Sequence, residues 1–155
     1  MTILNRLRSG VAIAGLTLVL AACQTLGGNS LIASSVTAVL TPAGATSIAA
    51  DMVGQLGGYV GPGGTTVRLR GDGSSFGVAL EQSLRSAGYA VVGDQLSTKT
   101  GVTDLAYAVD GFEGSVMVRL STVSIDLTRL YKLKGETAVP ASPVSVLRRD
   151  EVEPK

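Results

Sequence analysis

A small α+β domain, built from a strand–helix–strand unit and antiparallel hairpins that form one mixed sheet with two helices, is the fold the sequence predicts. Three observations carry this reading. Apolar residues recur at helical spacing in two separate stretches, and the second of these lies between two short extended segments. From about Thr103 onward the period drops to two and stays there.

The first helix is expected from Thr46, because Ile48, Met52, Val53 and Leu56 fall on one face and Gly57-Gly58 ends the run. Thr46 or Ser47 is placed to cap its first turn, and Asp51 sits close enough to the positive end to help slightly. Gly61-Pro62-Gly63-Gly64 then breaks regular structure. In Thr65 to Arg70, Val67 and Leu69 point one way and Arg68 and Arg70 the other, a strand with one wet face. Asp72-Gly73-Ser74-Ser75 makes a turn with two candidate caps, after which Phe76, Leu80, Leu84 and Ala87 line a second helix. Gly88 occupies the position where a left-handed residue ends a helix, and Tyr89-Ala90-Val91-Val92 resumes as a strand. The connections from Thr65 to Val92 are short enough to place both strands in one sheet.

After a polar loop from Gly93 to Thr103, Leu105, Tyr107 and Val109 alternate, Gly111-Phe112-Glu113-Gly114 turns, and Val116, Val118 and Leu120 alternate again. Val123, Ile125 and Leu127 continue the pattern, but Arg129 breaks it, which predicts a bulge or bend near Thr128 to Leu130. Pro140 and Pro143 confine the last extended piece, Pro143 to Leu147, to an edge. The domain is therefore assigned to residues 46–149, with a disordered tail at 150–155.

The segment ahead of the domain reads differently. Arg6 and Arg8 precede the almost wholly apolar run Val11 to Leu20, and the small residues Ala21 and Ala22 lead to Cys23. Charge, then a short apolar stretch, then small residues is the order of a secretory signal peptide, here residues 1–22. The apolar run is about half of the roughly 20 residues a membrane-crossing helix needs. Leu20-Ala21-Ala22-Cys23 resembles the lipobox of bacterial lipoproteins. That resemblance implies cleavage before Cys23, a diacylglycerol on its thiol and acylation of the new amino group. Two acyl chains already anchor stably, at about 0.8 kcal/mol per buried methylene. Gln24 after the cysteine resembles the outer-membrane sorting signal, which implies the periplasmic face of the outer membrane. Residues 23–45 are read as the lipidated N-terminus and a flexible tether, since Gln24 to Gly44 carries no charge. The apolar stretch Leu31 to Leu40 also admits a strand or helix that docks on a partner.

Loss of Arg6 and Arg8 turns 13 basic and 12 acidic residues into 11 against 12, a nearly neutral protein. Arg148-Arg149, the only adjacent basic pair, is followed at once by Asp150, Glu151 and Glu153, so nothing predicts nucleic-acid binding. The single cysteine excludes an internal disulfide. With six aromatics and no tryptophan, the core must be built from Val, Leu, Ile and Ala. The absence of histidine removes the usual general base, the commonest metal ligand and any Ser-His-Asp arrangement. Lys99, Lys132, Lys134 and Lys155 lie beside no catalytic serine motif, and neither glycine cluster has the lysine or the third glycine of a phosphate loop. Asp104, Asp110, Glu113 and Asp126 fall on turns or wet strand faces, where a solvated charge is the default. No catalytic residue, cofactor or metal site is therefore assigned. Cys23, for lipid attachment, is the one site residue.

The lipobox, the uncharged tether, Ile48-Ala49-Ala50-Asp51-Met52-Val53, Phe76-Gly77-Val78-Ala79-Leu80, Ala87-Gly88-Tyr89-Ala90-Val91-Val92 and the closing segment Ser121 to Tyr131 together resemble the conjugal transfer protein TrbH family. The likeness spans nearly the whole chain. It implies a lipoprotein of a conjugative type IV secretion apparatus, a structural part that braces the outer-membrane core complex. Its implied partners are the membrane, through the lipid, and other core-complex subunits in a multimeric assembly, with no small-molecule substrate. The other class the sequence admits is a periplasmic binding or regulatory lipoprotein, such as an activator of a cell-wall enzyme. Arg68, Arg70 and Phe112 are candidates for an interface.

Overall fold

Thr41 starts the first helix, ahead of the apolar pattern it carries. The structure, a computed structural model, describes residues 33–93 and 101–149. In it, helix α1 spans Pro42–Leu56, with the Thr41 hydroxyl accepting from Gly44 N at 3.0 Å and Pro42 in the first turn. Proline suits that place because its missing N–H has no partner to lose there. The Thr41 hydroxyl also donates to the carbonyl of Glu136, fastening the helix start to a distant hairpin. Residues 42–45 are thus helix rather than tether. The tether reading fails at a second point as well: strand β1, Ser35–Val36, pairs in parallel with Ala108 and Val109. The apolar residues of this stretch dock on the chain's own sheet, Val36, Ala38 and Leu40 packing against its core. Residues 24–32 lie outside the described residues.

The predicted strand–helix–strand unit is present as β2 Thr66–Leu69, α2 Ser75–Ser86 and β3 Ala90–Gly93, with β2 and β3 parallel neighbours. Ser74 caps α2 by accepting from Gly77 N, and Gly88 takes the left-handed conformation at φ 91°. Gly93 belongs to β3, and Val102 and Thr103 already belong to β4, Val102–Phe112; of the rest of the predicted loop Gly101 forms a turn at φ 88° and 94–100 lie outside the described residues, as does the tail 150–155. β5, Ser115–Ser121, returns antiparallel after a two-residue turn in which Glu113 and Gly114 have φ 44° and 75°. Both positive angles match the hand of the strand twist.

β6 covers Ile125–Lys134, and β7 Thr137–Pro140 and β8 Ser145–Arg148 divide its outer edge between them. Both prolines thus fall at the sheet margin, as expected, while β7 is an additional strand. The mixed sheet has the order β3-β2-β4-β5-β6-β7, with β1 on β4 and β8 on β6.

No bulge interrupts β6. Thr128, Arg129 and Leu130 pair in unbroken register with Arg119, Val118 and Met117. Arg129 keeps its place on the helix-covered face because α1 supplies a carboxylate there. Val123 drops out of the alternation and is exposed in the turn before β6.

Both helices lie on one face. Ile48, Met52 and Leu56 of α1, and Phe76, Leu80 and Leu84 of α2, are buried with Val67, Leu105, Tyr107, Val109, Val116, Val118, Leu120, Leu127 and Tyr131 in one core. Each such large side chain contributes about 1.5–3 kcal/mol by leaving water. Among the described residues no helix covers the other face, and none is long and apolar enough to cross a membrane.

Candidate functional site

Three polar clusters interrupt the apolar architecture. The first joins α1 to β6: Arg129 Nη1 donates to both carboxylate oxygens of Asp51, at 3.1 and 2.9 Å, and its Nε donates to the carbonyl of Ser142 at 2.8 Å. The fully buried Tyr131 donates its hydroxyl to Asp51 Oδ2 at 2.5 Å. Burial, reinforced by the hydrogen bond to Asp51 and its charge, drives the Tyr131 phenol far above its ordinary value. One carboxylate therefore satisfies a cation and a phenol that β6 brings beneath α1.

The second cluster holds the loop before α2. Tyr107 donates to Asp72 Oδ1 at 2.5 Å, which also accepts from Ser74 N at 2.9 Å. Burial pushes the Asp72 carboxyl up, but the bonds from Ser74 and Tyr107 outweigh it and hold the group below the usual carboxylate range. The Tyr107 phenol is raised by burial and by its bond to Asp72. Its ring meets Phe76 edge-on at 5.2 Å. This arrangement requires glycine at 77, where an added Cβ would lie 2.2 Å from the Tyr107 hydroxyl.

The third lies on the uncovered face. Arg68 Nε and Nη2 grip Asp104 at 2.5 and 2.7 Å, and Arg70 Nε stands 4.0 Å from the same carboxylate with no hydrogen bond of its own among the described residues. The bonds from Arg68 hold Asp104 below the usual carboxylate range, against the opposing effect of its burial.

The carboxylates considered as a catalytic pair are not brought together. Asp104 is held by Arg68, Asp110 accepts from Thr37 at 2.9 Å, Asp126 is held by Arg149 at 2.8 Å, and Glu113 sits in the β4–β5 turn. Among the described residues no group of three or more His, Cys, Asp or Glu could hold a metal ion. Arg68 and Arg70 share a sheet face with Phe112 but lie at the opposite end of β4: eight residues separate Asp104 from Phe112, about 27 Å of strand. Cys23 lies outside the described residues.

Sequence reasoning missed the Asp51–Arg129–Tyr131 cluster, although its signal was present. An arginine in the inward phase of a strand and an aspartate beside the apolar face of a helix each lack a partner locally and supply one another in space.

Comparison with known proteins identifies relatives of the same kind. Residues 26–150 match the model of a family described as conjugal transfer protein TrbH. A "Probable conjugal transfer protein TrbH" of Sinorhizobium fredii (strain NBRC 101917 / NGR234) is 40% identical over 137 residues, covering 85% of this chain and 92% of that protein. No solved structure matches.

Proposed function

From the premise that this chain belongs to the conjugal transfer protein TrbH family, and is therefore a component of a conjugative transfer system, we propose that it is an outer-membrane lipoprotein that braces the core complex of the transfer apparatus. The observation that carries the anchoring is the order Arg6, Arg8, the apolar run to Leu20, Ala21, Ala22 and Cys23. The chain emerges on the periplasmic face, is held there by acyl chains on Cys23, and presents its α+β domain to other subunits. It performs no catalysis in this reading, in keeping with a sequence that contains no histidine and one cysteine committed to lipid.

The test is Cys23→Ser in donor cells. The expected result is a folded protein that leaves the outer-membrane fraction, with plasmid transfer reduced at least tenfold. Wild-type transfer from the serine variant would overturn the anchoring role. Cross-linking that recovered only cell-wall enzymes would favour the regulatory reading instead.

A further inference from the structure

The face of the sheet turned away from the helices is more apolar than a solvated face needs to be. Register places Asp110, Met117 and Leu130 in one row across β4, β5 and β6. The next row is Phe112, Ser115, Lys132 and Val139, and the row on the other side is Ala108, Arg119, Thr128 and Ser145. Met117 and Leu130 are half-buried, and Phe112 is 57% exposed.

The charges on this face are unevenly matched. Of its carboxylates, Asp104 is paired with Arg68 and Asp126 with Arg149, while Asp110, at the β4 end of the row, accepts a hydrogen bond from Thr37 and keeps its charge. The side chains of Arg119 and Lys132, which bracket Met117 and Leu130, make no hydrogen bond or ion pair among the described residues. A partner that covered the apolar row without bringing acid would strand both cations away from water, at a cost of several kcal/mol.

We propose that this open face docks an acidic amphipathic helix of another transfer protein, its apolar side over Met117 and Leu130 and its carboxylates on Arg119 and Lys132. The proposal rests on the reading of the chain as a transfer-system component and names the surface and the chemistry of the partner. Arg119 pairs with Thr128, four residues before Lys132, so the two cations are about 13 Å apart along the strands. Acidic residues about eight positions apart on a helix, with apolar residues between them, span that distance at about 1.5 Å per residue. A second copy of this chain fits poorly, since the same face would meet its own cations. An anionic lipid surface fits less well, since a membrane calls for a broad basic cluster and this face offers two cations bracketing an apolar row.

The experiment places a photo-cross-linking residue at 117 in the full chain in donor cells, and sequences the captured peptide. The expected product is a segment of another transfer protein with the acid–apolar–acid pattern. Arg119→Glu, verified as folded by its urea transition, should lower its yield at least tenfold, and an acid-to-lysine change in the captured segment should restore it. Capture of a segment without that pattern, of a second copy or of lipid would overturn the proposal, as would full capture with Arg119→Glu. So would binding of the purified protein to phosphatidylglycerol vesicles that Arg119→Glu abolishes. Loss of transfer in Cys23→Ser with unchanged transfer in Arg119→Glu would sink the docking surface alone. An acidic amphipathic segment captured from a cell-wall enzyme would sink the transfer-system reading, and with it the identity proposed for the partner.

Discussion

Replacing Asp51 by alanine removes the one acceptor shared by Arg129 and Tyr131. The side chains of Arg129 and Asp51 are 17% and 27% exposed, so the pair lies between two regimes. An exposed ion pair is worth about 0.2–1 kcal/mol, and truncating one partner of a fully buried pair costs about 3–5 kcal/mol. To this is added the orphaned hydroxyl of the fully buried Tyr131, about 1–3 kcal/mol. Asp51→Ala is thus expected to cost about 3 kcal/mol. With a urea slope of about 1.5 kcal/mol per molar, the midpoint falls by about 2 M. Asp51→Asn, which keeps an oxygen for Tyr131, should cost about 1–2 kcal/mol. Asp51→Ala combined with Arg129→Met should cost less than the sum of the two changes, by about 1–2 kcal/mol, because the second change removes the stranded cation. The assay is urea unfolding of the unlipidated Cys23→Ser protein followed by far-UV circular dichroism. A loss below about 1 kcal/mol for Asp51→Ala would refute the reasoning, since it would mean that the carboxylate behaves as an ordinary surface charge.

Gly77→Ala forces a methyl group against the buried Tyr107 hydroxyl and should cost about 2–3 kcal/mol in the same assay; Tyr107→Phe should recover part of that loss when combined with it. Thr41→Ala removes the α1 cap and its bond to Glu136, and should cost about 1–2 kcal/mol, whereas a tether residue would cost nothing measurable. Asp72 and Asp104 have depressed folded-state values, so their contribution is complete above the unfolded carboxylate value of about 4 and is lost as pH falls through the folded one; Asp104→Asn should flatten the acid limb of the urea midpoint below about pH 4. Tyr107 and Tyr131 are shifted the other way, so their contribution is complete below about pH 10 and is lost as pH rises further; Tyr131→Phe should reduce the alkaline loss while lowering stability at pH 7.

What was legible in the sequence was whatever a local rule decides. The period of two fixed the inward faces of β4 and β5, because each side chain's face follows from its neighbour's. The strand–helix–strand unit was legible because Ser74 and Gly88 punctuate it at both ends. Arg129 was misread because alternation ranks arginine as polar, and Asp51, which neutralises it, lies 78 residues away. The start of α1 was misread because its apolar face begins at Ala45 and Ile48, although Thr41-Pro42 is the stronger boundary signal. β1 has only two residues, too few for any period to show, and depends on β4 for its existence. The charge asymmetry of the open face was invisible for the same reason: Arg119 and Lys132 become neighbours only through the register of β5 on β6. Cys23 lies outside the described residues, and its role rests on the order of residues from Arg6 to Cys23 alone.

β4 has its upstream edge completed twice, by β2 up to Leu105 and by the N-terminal segment from Ser34, whose hydroxyl takes the N–H of Tyr107 at 3.1 Å. A pull transmitted along the chain ahead of Ser34 therefore enters the sheet at the middle of a central strand. Two paired residues and the Thr37 bonds to Val109 and Asp110 take the load first. Behind them stands Thr41, whose hydroxyl bonds the carbonyl of Glu136, and Val36, Ala38 and Leu40 between the two pack against the core. If the chain is anchored at Cys23 as proposed, β1 and the Thr41 cap are the two contacts through which that anchor would hold the domain.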